Sequence, residues 1–134
     1  MTKYLLDTNL WIALTKGEQD LVNRVYTLRQ EKRVCMALFT VGELFFGAIN
    51  SQRWMLNVER MTDLVNHFEI ILPDEDELGF TYGLVKSNLR EQGITLTEND
   101  LWIASTAIHY RLTLVTRDRD FNRIKGFQLN IEAW

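Results

Sequence analysis

The sequence predicts an α/β protein in which a mainly parallel sheet of four to five strands lies between two layers of helices. Short apolar runs of strand length alternate with longer segments whose apolar residues recur every three or four positions. This alternation is typical of parallel strands joined by helices, because successive parallel strands need a long connection. No repeat, linker or low-complexity stretch divides the 134 residues, so we expect one domain over residues 1–134.

The first half of the chain predicts three strands and four helices. Thr8 and Asn9 are suitable N-caps for the first helix, which Gly17 should end. Thr40 would cap the third helix, and Glu43 three residues later fits a capping box. The predicted elements are a strand at Lys3–Asp7, a helix through Leu14, a helix at Gln19–Glu31, a strand at Val34–Ala37, a helix from Thr40, a helix at Arg53–His67 and a strand at Glu69–Leu72.

The second half predicts two more helices and two more strands. The acidic run 74–77 suits the positive end of a helix that continues to Glu91 and stops at Gly93, so we assign this run no catalytic role. A helix from Asn99, a strand at Leu112–Val115, a turn at Asp118–Ile124 and a fifth strand at Gln128–Ile131 follow.

Composition excludes disordered and membrane proteins. The chain is 46% hydrophobic and 25% charged, and no apolar run approaches the roughly 20 residues of a transmembrane helix. Asp7 also interrupts the first apolar segment too early for a secretory signal, so we expect a cytoplasmic protein. Cys35 lies in an apolar run without a second cysteine, and we expect it to be a core residue.

The net charge of −3 does not by itself indicate a nucleic-acid ligand. Basic residues nevertheless cluster late in the chain, and a local basic rim is one interpretation of them. An ordinary solvated face is the other. The residues concerned are Lys86, Arg90, Arg117, Arg119, Arg123 and Lys125.

Four acidic residues stand where the predicted strands end or the predicted helices begin. Asp7 and Asp118 follow the first and fourth strands, whereas Glu43 and Asp100 lie in first turns of helices. Ligands of open parallel sheets bind beyond the carboxyl ends of the strands, so we expect these acids to converge there. The inference is weakest for Asp100, because its helix follows another helix.

Each acid alone is also explained by helix capping, and the four together favour a metal site. Two carboxylates about 5 Å apart repel by roughly 3 kcal/mol at an effective dielectric of about 20. A cation relieves that repulsion. Ligands that are all oxygen suit Mg²⁺ or Mn²⁺, and one or two such ions support metal-assisted hydrolysis of a phosphodiester.

Four motifs give the chain a family resemblance over its whole length. The chain resembles the PIN-domain ribonucleases and, among them, the VapC-type toxins of bacterial toxin–antitoxin pairs. The motifs are Leu6-Asp7-Thr8-Asn9, Val41-Gly42-Glu43-Leu44-Phe45-Phe46-Gly47, Asn99-Asp100-Leu101-Trp102-Ile103-Ala104 and Thr113-Leu114-Val115-Thr116-Arg117-Asp118-Arg119-Asp120-Phe121.

The resemblance implies an endoribonuclease that depends on Mg²⁺ or Mn²⁺, is commonly homodimeric and is inhibited by a VapB-type antitoxin. It implies that Asp7, Glu43 and Asp100 are metal ligands and that either Asp118 or Asp120 is the fourth acid. Such enzymes cut transfer RNA, ribosomal RNA or messages, and the residues do not choose among these substrates. The resemblance also implies that Asn9 and Thr116 orient the acids or a water, although capping and turn formation explain them equally well.

Two further hypotheses concern partners. We expect Arg117, Arg119 and Lys86 to contact phosphates that flank the cleaved bond. The segment from Phe45 to Met61 is expected to contribute to an antitoxin groove or a dimer contact, because so many aromatic residues exceed what a small core buries.

Two other classes of protein compete with the nuclease. A phosphoacceptor receiver domain would require an acidic pair at the first strand and a lysine after a late strand, and the chain has neither. A non-catalytic RNA- or protein-binding relative would be expected to lack some of the four acids.

Overall fold

The computed structural model describes residues 1–74 and 76–134, and Glu75 of the acidic run lies outside them. In these two ranges, five strands form one sheet in the order β3-β2-β1-β4-β5, and every neighbouring pair is parallel. The predicted α/β/α class is therefore confirmed. The strands are β1 (Tyr4–Leu6), β2 (Val34–Ala37), β3 (Glu69–Ile71), β4 (Thr113–Val115) and β5 (Ile131–Glu132).

Within the described residues, six α-helices cover the two faces of this sheet. None among the described residues has the length and apolar character needed to span a membrane. The helices are α1 (Thr8–Thr15), α2 (Gln19–Gln30), α3 (Leu38–Ile49), α4 (Trp54–His67), α5 (Glu77–Glu91) and α6 (Glu98–His109), and a 3₁₀ helix follows at Arg119–Arg123.

Successive residues of each strand pack into two different hydrophobic cores, one on each face of the sheet. Leu5 packs with α5 and α6 on one face of the sheet, and Leu6 packs with α1 to α4 on the other. Successive strand residues point to opposite faces, so strands covered on both sides are apolar throughout. Cys35 belongs to the first core and is fully buried, as expected, and burial raises the pKa of its thiol to about 12.

Several predicted element bounds are wrong in detail, most by one residue. Asp7, not Thr8 or Asn9, caps α1. β2 continues directly into α3, so Ala37 is the N-cap and Thr40 lies inside the helix, which rules out the Thr40–Glu43 capping box. Helix α6 begins one residue early because Thr97 caps it. Strand β5 is Ile131–Glu132 rather than Gln128–Ile131.

The strand order creates a topological switch point between β1 and β4. From β1 the chain moves outward to β2 and β3, then crosses to β4 on the other side of β1. Ligands bind outside the carboxyl ends of strands at such a point. Asp7 directly follows β1, and Thr116 directly follows β4, so both residues lie at the switch point.

Candidate active site

Asp7 is a buried carboxylate that joins the two strands of the switch point. Only 4% of the residue is exposed. Its Oδ1 accepts a hydrogen bond from the Leu10 N–H at 3.1 Å, and its Oδ2 accepts one from the Thr116 hydroxyl. Burial raises the pKa of Asp7 despite these bonds, and the charge of Asp118 raises it further. Asp7 is thus both the helix cap and a fixed, electrostatically strained acid.

Thr116 also positions Asp118. The Thr116 oxygen accepts a hydrogen bond from the Asp118 N–H at 3.0 Å. Asp118 Oδ1 accepts one from the Asp120 N–H at 2.9 Å, which caps the 3₁₀ helix. Asp120 is exposed and lies 4.0 Å from the Arg123 guanidinium. Of the two alternatives for the fourth acid, the loop therefore brings Asp118 toward Asp7 and directs Asp120 to solvent.

Glu43 is held by a contact between α1 and α3. The Thr8 hydroxyl donates to Glu43 Oε1 at 2.7 Å and lies 3.1 Å from the hydroxyl of Thr40, which is fully buried. These two threonines were not predicted as site residues. Thr8 adjoins Asp7 in the first motif, but nothing local in the sequence shows that it contacts a residue 35 positions away.

The charges of the other three acids act on Asp100. It lies in the first turn of α6, and its N–H donates to the hydroxyl of the Thr97 cap at 3.2 Å. Burial raises the pKa of Asp100, and the charges of Asp118, Glu43 and Asp7 each raise it further. Asp100 therefore reaches the carboxyl edge of the sheet, although its helix follows another helix.

Asn9 and Thr116 differ in what they contact. The Thr116 hydroxyl donates a hydrogen bond to the Asp7 carboxylate, and its oxygen accepts one from the Asp118 N–H. Asn9 is exposed, and it acts on Asp7 through its backbone N–H, which lowers the pKa of that acid. Thr116 is thus placed to orient two acids, whereas Asn9 is not the cap of α1.

A separate trio of possible metal ligands lies where the start of α5 meets the C-terminal end of α6. The trio consists of Asp74, Glu77 and His109. Among residues 1–74 and 76–134, these are the side chains whose ligand atoms all lie within 4.8 Å of one another. His109 is nine residues beyond Asp100 in α6, or about 13 Å along the helix. The trio is therefore distinct from the four acids at the switch point, whose carboxylates are more widely spaced.

Two of the three side chains expected to contact phosphates form ion pairs with acids instead. Arg117 makes a bidentate pair with Glu18 at 3.0 and 2.7 Å, and its Nε donates to the Trp134 carbonyl at 2.7 Å. Lys86 pairs with Glu98 at 2.8 Å. Arg119 is exposed on the loop between Asp118 and Asp120. The Arg117 contacts fasten the loop that carries Asp118, whereas the Lys86 pair joins α5 to α6. Of the three cations, Arg119 is therefore the best placed to contact a phosphate.

The four acids form an oxygen-only cluster whose members repel one another. No imidazole or thiol belongs to it, which matches the ligand preference of Mg²⁺ and Mn²⁺. Fixed orientation is provided by Thr8 for Glu43 and by Thr116 for Asp7. Hydrogen bonds that fix the ligating side chains in this way are characteristic of metal sites. The donor set therefore fits a divalent cation.

Fold and site together define an α/β domain with a carboxylate cleft at the switch point of a parallel sheet. The family model of the PIN domain matches residues 4–126. Ribonuclease VapC1 of Haemophilus influenzae strain R2866 is 32% identical over 127 residues, covering 93% of this chain and 94% of the relative. The chain therefore belongs to the PIN domain family and, within it, to the VapC ribonucleases.

Two further similarities extend over the full chain. The tRNA(fMet)-specific endonuclease VapC of Shigella flexneri is 32% identical over 136 aligned positions, covering 100% of this chain and 99% of the relative. The crystal structure of VapBC2 from Rickettsia felis, bound to a DNA fragment from its promoter, contains a chain with a TM-score of 0.89. That chain is 29% identical, and the match covers 99% of both chains.

Proposed function

We propose that this chain is the endoribonuclease toxin of a toxin–antitoxin pair and that Asp7, Glu43, Asp100 and Asp118 hold a divalent cation, Mg²⁺ or Mn²⁺. The observation that carries the metal assignment is that Thr8 and Thr116 hold three acids by hydrogen bonds at the edge of the sheet where Asp100 also lies. Carboxylates arranged in this way are stabilised by a cation between them. Membership of the VapC ribonucleases supports RNA as the substrate.

The cation would supply two kinds of chemistry when bound: it neutralises charge that develops on the phosphodiester, and it makes water a stronger nucleophile at neutral pH. The side chains supply orientation. Thr116 and the Leu10 N–H fix both oxygens of Asp7. Thr8 fixes Oε1 of Glu43, which leaves Oε2 to accept a hydrogen bond from the attacking water.

The RNA backbone would follow the loop that carries Asp118. Arg119 is exposed there and is the phosphate contact we propose, whereas Arg117 holds the loop through Glu18. A phosphate contact positions the strand without reading its sequence. Transfer RNA is a candidate substrate because the Shigella relative is a tRNA(fMet)-specific endonuclease.

A direct test is to express the chain with and without the neighbouring reading frame and to map RNA ends in the cells. We expect growth arrest and new RNA ends at defined positions when the chain is expressed alone, and relief of both by the neighbour. Arrest without new RNA ends would contradict the nuclease assignment.

The fourth metal ligand can be tested by comparing Asp118→Asn with Asp120→Asn. Asparagine at 118 still caps the 3₁₀ helix, but it removes a charge that acts on Asp7 and Asp100. We expect RNA cleavage to fall at least about tenfold, or about 1.4 kcal/mol, and Asp120→Asn to stay within about threefold of the wild type. A larger loss in Asp120→Asn would reverse the assignment.

Partners are expected at an exposed apolar patch on α3 and α4. The cognate VapB-type antitoxin and a second copy of the chain are the partners we propose. Exposed apolar side chains that lie together on a small protein usually mark an interface. The patch consists of Ile49, Trp54, Met55 and Leu56, whose exposure ranges from 38% to 69%.

Trp54→Ala tests this patch. The side chain is half exposed, so its removal should leave the fold intact, and a buried interface tryptophan typically contributes 2 kcal/mol or more to binding. We expect antitoxin affinity or homodimer affinity to fall about 30-fold. Isothermal titration calorimetry measures the antitoxin affinity, and analytical ultracentrifugation of the toxin alone measures the homodimer affinity. If both are unchanged, the interface lies elsewhere.

A further inference from the structure

A groove beside the acidic cluster has the composition of a base-binding site. It runs between α3 and the start of α6 and has a volume of about 540 Å³. Helix α3 provides most of its wall, and Asn99 of α6 closes one side. The described lining residues are Leu38, Phe39, Gly42, Glu43, Phe46 and Asn99.

Charge in the groove excludes the phosphate backbone as its occupant. Of the described lining residues, Glu43 alone is charged, and it is an acid. Phosphates require cationic or N–H contacts. The aromatic rings of Phe39 and Phe46 instead suit a flat, uncharged group, and Phe46 is 71% exposed. A nucleobase has this chemistry, because every base has a face that stacks on aromatic rings.

The groove is continuous with the candidate active site. Glu43 belongs both to the groove and to the acidic cluster, and Asn99 directly precedes Asp100. A strand whose phosphate lies at the acids would therefore place a neighbouring nucleotide at the groove. The Asn99 amide can both donate and accept hydrogen bonds, as the edge of a base requires.

Phe39 is held rigid by a stack of three rings. Its ring is 5.1 Å from that of Trp102 at an interplanar angle of 12°, and Trp102 stacks on Tyr82 at 3.9 Å. Phe39 is the end ring of this stack and lines the groove. A rigid aromatic ring loses little conformational freedom when a base stacks on it.

We propose that this groove holds one base of the RNA next to the cleaved phosphate, and that Phe39 and Phe46 promote cleavage by stacking on that base. The proposal rests on the proposed nuclease function. Stacking in the groove would fix the position of the strand relative to the acids. The base thus contributes to cleavage of the phosphodiester beside it.

Gly42 allows the groove to be filled without disturbing the fold. A Cβ built on Gly42 meets no heavy atom within 4 Å, so Gly42→Gln extends into open space, and it also replaces a glycine inside a helix with a better helix former. Gly47 is the matched control. It lies in the same helix with equally open surroundings but does not line the groove. Both variants should melt at or above the wild-type temperature.

The experiment uses a single-stranded RNA oligonucleotide that contains one mapped cut site. Two matched oligonucleotides carry an abasic nucleotide on the 5′ or the 3′ side of the cut. We expect one abasic position to lower wild-type kcat/KM about 5- to 100-fold, the usual range for one stacked base. Gly42→Gln and Phe46→Ala should lower cleavage of the intact oligonucleotide similarly, yet lose sensitivity to the abasic position. Gly47→Gln should match the wild type.

Each other result overturns the proposal in a recognisable way. If the wild type cleaves none of the oligonucleotides, the proposed nuclease function fails and the base site fails with it. If the wild type cleaves the intact and abasic RNAs equally, the base site alone fails. If Gly42→Gln weakens antitoxin binding and leaves RNA cleavage unchanged, the groove binds protein rather than RNA.

Discussion

Asp7→Asn and Asp100→Asn proteins are expected to remain folded and to lose RNA cleavage by at least about 100-fold. Asparagine caps a helix as well as aspartate does, so position 7 can keep its bond to the Leu10 N–H. Each change removes one negative charge from the cluster. A loss of 100-fold corresponds to about 2.7 kcal/mol of transition-state stabilisation, a magnitude typical of one essential polar group.

Thermal melting separates the loss of metal binding from the loss of structure. A ligand that binds the folded state raises the melting temperature, so Mn²⁺ should stabilise the wild type and have less effect on either variant. Asp63→Asn is a suitable control, because Asp63 is an exposed acid of α4 outside the cluster. Full cleavage activity in Asp7→Asn or Asp100→Asn would refute the metal site.

Trp11→Ala is expected to cause the largest loss of stability. The residue is fully buried in the core beneath α1 to α4, its ring meets that of Phe68 edge-on at 4.7 Å, and its indole N–H donates to the Leu6 carbonyl at 3.1 Å. Replacing a buried tryptophan by alanine costs about 3–5 kcal/mol, a large part of the roughly 5–15 kcal/mol that stabilises a typical domain.

Urea unfolding of the metal-free protein measures this loss. Trp54→Ala provides the comparison, because half of that side chain is already exposed, and its unfolding free energy should change far less. A change below about 1 kcal/mol in Trp11→Ala would mean that the core relaxes around the missing ring.

The sheet was predictable because its signals are local. Val34–Ala37 is fully buried and forms β2 with the predicted bounds. Gly17 and Gly93 follow α1 and α5 with φ angles of +81° and +70°, the left-handed conformation that favours glycine after a helix. These features depend on neighbours within a few residues, which a sequence pattern contains.

The details of the site were less predictable because its contacts are distant in sequence. Thr40 resembled a cap, but it lies inside α3 beside Thr8, which is 32 positions away. Arg117 resembled a phosphate ligand, but its partner Glu18 is 99 positions away. The choice between Asp118 and Asp120 depends on which backbone N–H donates a hydrogen bond to the Thr116 oxygen. The motif alone does not contain that geometry.

The central position of β1 in the sheet affects when the site can assemble during synthesis. Asp7 and its partner Thr116 are 109 positions apart, and domains fold as their residues emerge from the ribosome at about 5–20 residues per second. A chain that has been translated through Glu43 already contains two of the acids but has no β4 to pair with β1. Unfinished chains therefore cannot form the proposed nuclease site, and we expect the protein to become active only late in its own translation.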